Sequence, residues 1–200
     1  MLIKPDDLLL NFEEYITKVH FPETLTFLVL DFEDQFHYVR KDRVSEWEQS
    51  TEQLFQIALG NISLEDIEVK EYEYNEQFKV FALFSGDFAS AFTIELERNA
   101  PFAVSEHGTL LAIPTKGTSF LHPITHSDVI DLVATIYPTV EEFYNEDTGN
   151  INTEFYWFYG NEFQIFPKTQ NEDGTITISL PNELSILLNQ GKDAKPNRHT

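Results

Sequence analysis

Residues 155 to 160 read Phe-Tyr-Trp-Phe-Tyr-Gly, and these five consecutive aromatic side chains constrain the fold more than any other stretch. In an extended strand successive side chains point to opposite sides. Phe155, Trp157 and Tyr159 therefore face one way, and Tyr156, Phe158 and Gly160 the other. Such a strand either packs into a core on both faces or turns one aromatic face outward, where it binds a peptide or a flat ligand. Phe155, Trp157 and Tyr159 are the candidates for that outward face.

The rest of the chain supplies a core of the same kind. It has 18 Phe and 8 Tyr against one Met and no Cys, so aromatic and branched aliphatic side chains must fill the interior. The missing cysteine rules out disulfides, thiolate metal ligands and a cysteine nucleophile, and it fits a reducing compartment. A length of 200 residues suits one compact domain, expected over 1–190 with a flexible polar tail at 191–200.

Periodicity predicts an α+β protein, with a mixed or mainly antiparallel sheet built from hairpins and helices packed on it. Leu9, Phe12, Ile16 and Val19 recur at helical intervals over 6–19, and Pro22 closes that segment. Residues 24–32 read as a central strand with 35–41 as its hairpin partner. A helix is predicted over 45–59, with Ser45 and Glu48 as a capping box and Gly60 as its stop. Two strands at 66–74 and 78–84 flank the loop Asn75-Glu76-Gln77. Residues 87–97 read as helix capped by Asp87, although AFTIEL also alternates like a strand. Two strands span 108–124 around the Lys116-Gly117 turn, and a helix over 126–136 ends at Tyr137-Pro138, with Thr139 and Glu142 capping the next. Aromatic strands meet at Gly160-Asn161, Thr175 to Leu180 forms a strand after the Asp173-Gly174 turn, and Pro181 opens a short final helix.

His122 and His126 stand four apart, the spacing that a zincin helix uses to aim two imidazoles at one metal. Pro123 disfavours a helical His122, and a zincin would carry glutamate where that proline stands. Thr125 and Asp128 have the spacing of an N-cap and its carboxylate, so the stretch reads as a strand handing over to a helix. His107, His122, His126 and Asp128 could still converge where the two strands pair, as an acid–base or divalent-metal cluster; otherwise they are loop histidines beside a cap. Aligning Gly174 with the glycine of a calcium loop puts Thr169 and Leu180 at its terminal ligand positions, which fails. Phosphate-binding glycine patterns and the G-x-S-x-G elbow are absent.

Thirty-four acids against 13 bases give a formal charge of −21, a field that repels phosphate backbones and anionic lipid. Nucleic acid and membranes are therefore not expected as partners, and a basic protein is. The N-terminus lacks a secretory pattern, which leads to an expected cytoplasmic location. Glu71 and Glu73 share one face of their strand, which marks that face as wet and discourages edge-to-edge pairing with other molecules.

Several segments in order carry a resemblance: LFQIALGNI, GDFASAFTIEL, GTLLAIPTKGTSFLHPI and SLPNELSILL. With Ala58 to Ile62 at a helix end, Asp87 to Ala91 as a small-residue segment and Leu111 to Lys116 as a strand, the chain resembles the YtpQ-like family of bacterial proteins over most of 45–190. It departs where Lys116 replaces an arginine and where Ser90-Ala91 reverses the small pair. The resemblance implies neither an activity nor residue roles. The expected function is a non-enzymatic protein-binding module that uses an acidic or aromatic surface and no cofactor or metal. The competing expectation is a metal-assisted or acid–base hydrolase built on the histidine and aspartate cluster.

Overall fold

A computed structural model describes residues 1–5, 11–32, 35–44, 46–172 and 175–193. In chain order its elements are β1 (Leu2–Pro5), β2 (Thr17–Lys18), β3 (Thr24–Phe27), β4 (Val29–Phe32), β5 (Gln35–Tyr38), α1 (Lys41–Val44), α2 (Thr51–Ile62), β6 (Glu68–Tyr74), β7 (Phe78–Phe84), α3 (Ala89–Phe92), α4 (Leu96–Asn99), β8 (Thr109–Thr115), β9 (Thr118–Pro123), α5 (Val129–Glu146), β10 (Phe155–Tyr159), β11 (Glu162–Ile165), β12 (Lys168–Gln170), β13 (Ile176–Ile178) and α6 (Asn182–Asp193). The fold is α+β, with helices packed on antiparallel sheets.

The main sheet has six strands in the order β11, β10, β8, β9, β7, β6, and each neighbouring pair is antiparallel. Both faces of its inner strands are covered. Phe78, Val80, Leu110, Ala112, Phe120, Phe155 and Trp157 pack against Leu132, Val133 and Ile136 of α5 and Leu184 and Leu188 of α6. Phe81, Leu83, Leu111, Ile113, Leu121, Tyr156 and Phe158 pack on the other side with Ala89, Leu96 and Ala100, with Ile3 of β1 and with Phe21 of the loop between β2 and β3. A third cluster joins Ile16, Leu28 and Val39 to Phe55, Leu59 and Ile62 of α2. Among the described residues no helix is long and apolar enough to cross a membrane.

Turn chemistry places the hairpins where the sequence indicates. Gly160 and Asn161 sit at φ of 58° and 64° between the paired Tyr159 and Glu162, as a two-residue primed turn requires. Asn75 and Glu76 also have positive φ, 54° and 57°, in the loop between β6 and β7. A glutamate is strained in that region, whereas glycine enters it freely. Glu76→Gly should therefore raise the unfolding free energy by about 0.5–1 kcal/mol in urea melts; an unchanged midpoint would show that Glu76 is not strained.

The N-terminal part departs from its periodicity. Residues 6–10 lie outside the described residues, and the remainder of the expected helix holds a single 3-10 turn at Phe12–Glu14 followed by β2. Tertiary pairing overrides propensity here: Ile16 donates to the Val39 carbonyl at 2.9 Å and receives the Leu28 N–H at 3.1 Å. The same bonds split the expected central strand at Leu28 into β3 and β4, which belong to small peripheral sheets. Ser45 lies outside the described residues, and the working capping box is Ser50 with Gln53, whose two bonds measure 3.3 and 2.8 Å. Helix α2 consequently starts at Thr51 and runs through Gly60.

The 87–97 segment is helical, as α3 and α4 separated by a 3-10 turn. Asp87 does not cap it: Phe88 holds the N-cap position without a side-chain cap bond, the Ser85 hydroxyl accepts the Phe88 N–H at 2.8 Å in the turn before it, and Asp87 pairs with Lys116. Helix α5 begins at Val129 and runs unbroken through Pro138. Pro138 removes one backbone donor, but Ile136 and Val140 remain buried on either side of it, and that shared burial holds the helix through the expected break. Strand β13 is shorter than the expected 175–180, and the Asp173-Gly174 turn lies outside the described residues. Helix α6 continues to Asp193, into the stretch expected as tail, and 194–200 lie outside the described residues.

His20 connects the N-terminal hairpins to α2. Its Nδ1 lies 2.9 Å from the Thr26 hydroxyl and its ring meets the edge of Phe55 at 5.7 Å. Burial, aided by the Lys18 ammonium and opposed by Glu52, pulls its pKa down to about 4 from 6.5. The unfolded chain therefore binds a proton between pH 6.5 and 4 that the folded chain refuses, so stability falls as the pH drops through that window. Replacing the ring by asparagine should remove a pH-dependent loss on the order of 3 kcal/mol across it, read as the difference between wild-type and variant melts at pH 7 and pH 4.5. Parallel pH profiles would mean that His20 does not titrate this way.

Candidate functional site

The histidines are placed by the β8–β9 hairpin and the turn into α5. His122 lies in β9, opposite Leu110, as expected when Pro123 keeps it out of the helix. Its side chain is buried, its ring meets the Phe78 edge at 5.8 Å, and its Nδ1 donates to the Lys79 carbonyl at 2.7 Å. Burial lowers its pKa, with His126 acting in the same direction, while the Lys79 carbonyl and Asp128 raise it. A neutral imidazole fixed in this way is a strut between β9 and β7. His107 lies in the turn before β8, where its carbonyl accepts the Trp157 indole N–H at 2.8 Å and its Nδ1 is 3.8 Å from Glu106, too far for a hydrogen bond.

His126 is exposed and pairs through Nδ1 with the Thr125 hydroxyl at 2.8 Å, so the expected Thr125 cap of α5 is not formed. Asp128 occupies the N-cap position without a side-chain cap bond, and its carboxylate instead accepts a hydrogen bond from Gln77 in the β6–β7 loop. His122, His126 and Asp128 are thus electrostatic neighbours. Among the described residues, however, no group of three His, Asp or Glu side chains is placed to hold a metal ion.

The aromatic strand requires a correction. Phe155 and Trp157 are fully buried beneath α5 and α6, so they cannot form a recognition surface. Both faces of β10 are covered because α3, α4 and the N-terminal strands lie on the side opposite α5. Tyr159, at the strand end, is 41% exposed, and its ring stacks on Trp157 at 5.1 Å and 12°. On the other face, the Tyr156 hydroxyl donates to the Pro22 carbonyl at 3.2 Å and accepts from Asn152 at 2.7 Å.

Glu71 and Glu73 lie on β6, the outer strand of the main sheet. No residue of this seven-residue strand is buried. Six acids and one lysine fall between 65 and 76. Glu71 reaches Lys79 of β7 at 2.8 Å, and on the opposite face Glu68 reaches Lys70 at 3.3 Å. Glu73 pairs across the ladder with Lys79, whose ammonium also lies 6.0 Å from the centroid of the Phe81 ring. Hydrogen bonding and charge from Glu71, with a smaller contribution from Glu73, hold the lysine above its ordinary pKa. Sequence reasoning passed over Lys79 and Gln77, although a three-residue loop after Tyr74 already sets Lys79 against Glu73. Comparison of the chain with family models, curated proteins and solved structures gives no match.

Proposed function

We propose that this chain is a protein-binding module that receives an extended, basic segment of a partner on the open side of β6. The supporting observation is the position of β6 at the margin of a well-packed sheet, with both its faces exposed and glutamates along its length. An edge strand presents a row of backbone donors and acceptors that a further strand can satisfy, and the side chains at alternate positions then determine which strand is accepted. Here Glu71 and Glu73 favour a partner with lysine or arginine at alternate positions. The overall charge of −21 attracts such a segment from a distance.

The test uses a soluble peptide of alternating lysine and valine, read by fluorescence anisotropy at low and high salt and by hydrogen exchange. Wild-type protein should bind it, and β6 amides should exchange more slowly in the complex. Glu71→Lys with Glu73→Lys should weaken binding by about tenfold or more. Unchanged affinity in the double variant, or unprotected β6 amides, would refute the reading.

A further inference from the structure

The outer flank of α5 forms a second surface, separate from β6. Ile130, Ala134, Tyr137 and Glu141 follow one another at intervals of four, three and four, a single stripe along the helix. Opposite them stand Thr175, Ile176 and Ile178 of the β13 segment, with the two isoleucines on one face of their strand. The groove between these walls has a volume of about 490 Å³, within the roughly 300–1,000 Å³ of small-molecule sites. Ala134 creates the space, because its methyl group sits between the larger Ile130 and Tyr137.

The lining is mainly apolar, its polar groups being Thr175, the Tyr137 hydroxyl and Glu141. At the Glu141 end of the helical wall the carboxylate meets the Tyr137 hydroxyl, which the Thr153 side chain also engages. Lys168 of the adjoining β12 is held by Glu154. Among the described lining residues Glu141 is the sole charged group, and none is cationic. A ligand that fills the groove must therefore bring the positive charge itself. The Tyr137 ring beside that carboxylate suits an ammonium group, which an aromatic face attracts.

We propose that this groove is a binding site for small hydrophobic amines: the apolar part lies between Ile130, Ala134, Ile176 and Ile178, and the ammonium group sits against Glu141 and the Tyr137 ring. The charge complementarity of a single carboxylate at the end of an apolar trough, in a protein of net charge −21, selects this occupant over a neutral or anionic one. Independence from the β6 edge follows from the groove's separate residues.

The experiment titrates the purified protein with 4-phenylbutylamine, 4-phenylbutanol and 4-phenylbutanoate by calorimetry and NMR. The amine should bind saturably at one site, about tenfold or more tightly than the alcohol, and the carboxylate should not bind. Glu141→Gln, which keeps the shape, should bring the amine down to the affinity of the alcohol. Ala134→Trp should abolish binding of both by filling the trough. Glu142→Gln, one residue away and outside the lining, should leave the amine unaffected, and unchanged melting temperatures would show that the exposed substitutions do not unfold the protein. Equal affinity for amine and alcohol, undiminished binding by Ala134→Trp, or no saturable binding of the amine up to about 1 mM would each overturn the proposal.

Discussion

Trp157→Ala is expected to lower the unfolding free energy by about 3–5 kcal/mol from the cavity it opens, and by about 1–3 kcal/mol more because the His107 carbonyl is left without its donor. The indole is fully buried under α5 and α6, bonds that carbonyl at 2.8 Å and supports the Tyr159 ring. Small domains are stable by about 5–15 kcal/mol in total, so the variant should melt many degrees lower or fail to fold at 37 °C. Trp157→Phe separates the two contributions: it keeps most of the volume and loses the donor, so it should cost clearly less than the alanine. Urea melts of the three proteins check this, and an alanine variant within about 1 kcal/mol of wild type would show that the core does not depend on this ring.

Gly108→Ala should have an effect of similar size for a different reason. Gly108 has a φ of 86° at the entry to β8, and a Cβ there would lie 2.2 Å from the Phe158 carbonyl oxygen and 2.7 Å from the Trp157 indole nitrogen. One contact is backbone and the other is a buried ring, so neither can move aside cheaply. A loss of about 3 kcal/mol or more is expected in thermal or urea melts, with a reduced yield of folded protein. Since Gly108 and Trp157 touch the same part of β10, the double variant should lose less than the sum of the two single losses. Simple additivity would show that the two sites are independent, and a Gly108→Ala variant as stable as wild type would show that the close approach is harmless.

The fold was legible wherever local chemistry and tertiary pairing agree. Gly160-Asn161 and Asn75-Glu76-Gln77 are turn sequences that set the register of their flanking strands locally, and their hairpins form where expected. The Ile16 segment has helical spacing, yet its backbone is drawn into bonds with Leu28 and Val39, partners that periodicity cannot reveal. Pro138 is a strong local stop signal outweighed by the buried stripe of α5. For the candidate sites, alternation along β6 suffices to put Glu71 and Glu73 together on a wet face. The aromatic strand is ambiguous in isolation, because whether Phe155 and Trp157 meet solvent depends on how α5 and α6 pack over it. The trough beside Tyr137 is still less visible, since one wall is α5 and the other is the β13 segment, with β10, β11 and β12 between them in the chain.

The glutamates on β6 also bear on how the molecule behaves as the solution is acidified. The sequence pI is near 4.4, so at that pH the mutual repulsion between copies has vanished. A bare seven-residue margin that carries two tyrosines and a valine is then a template for its own kind. Mildly acidic storage should therefore yield ordered, dye-binding fibrils that grow from this margin while the interior of the domain is still intact.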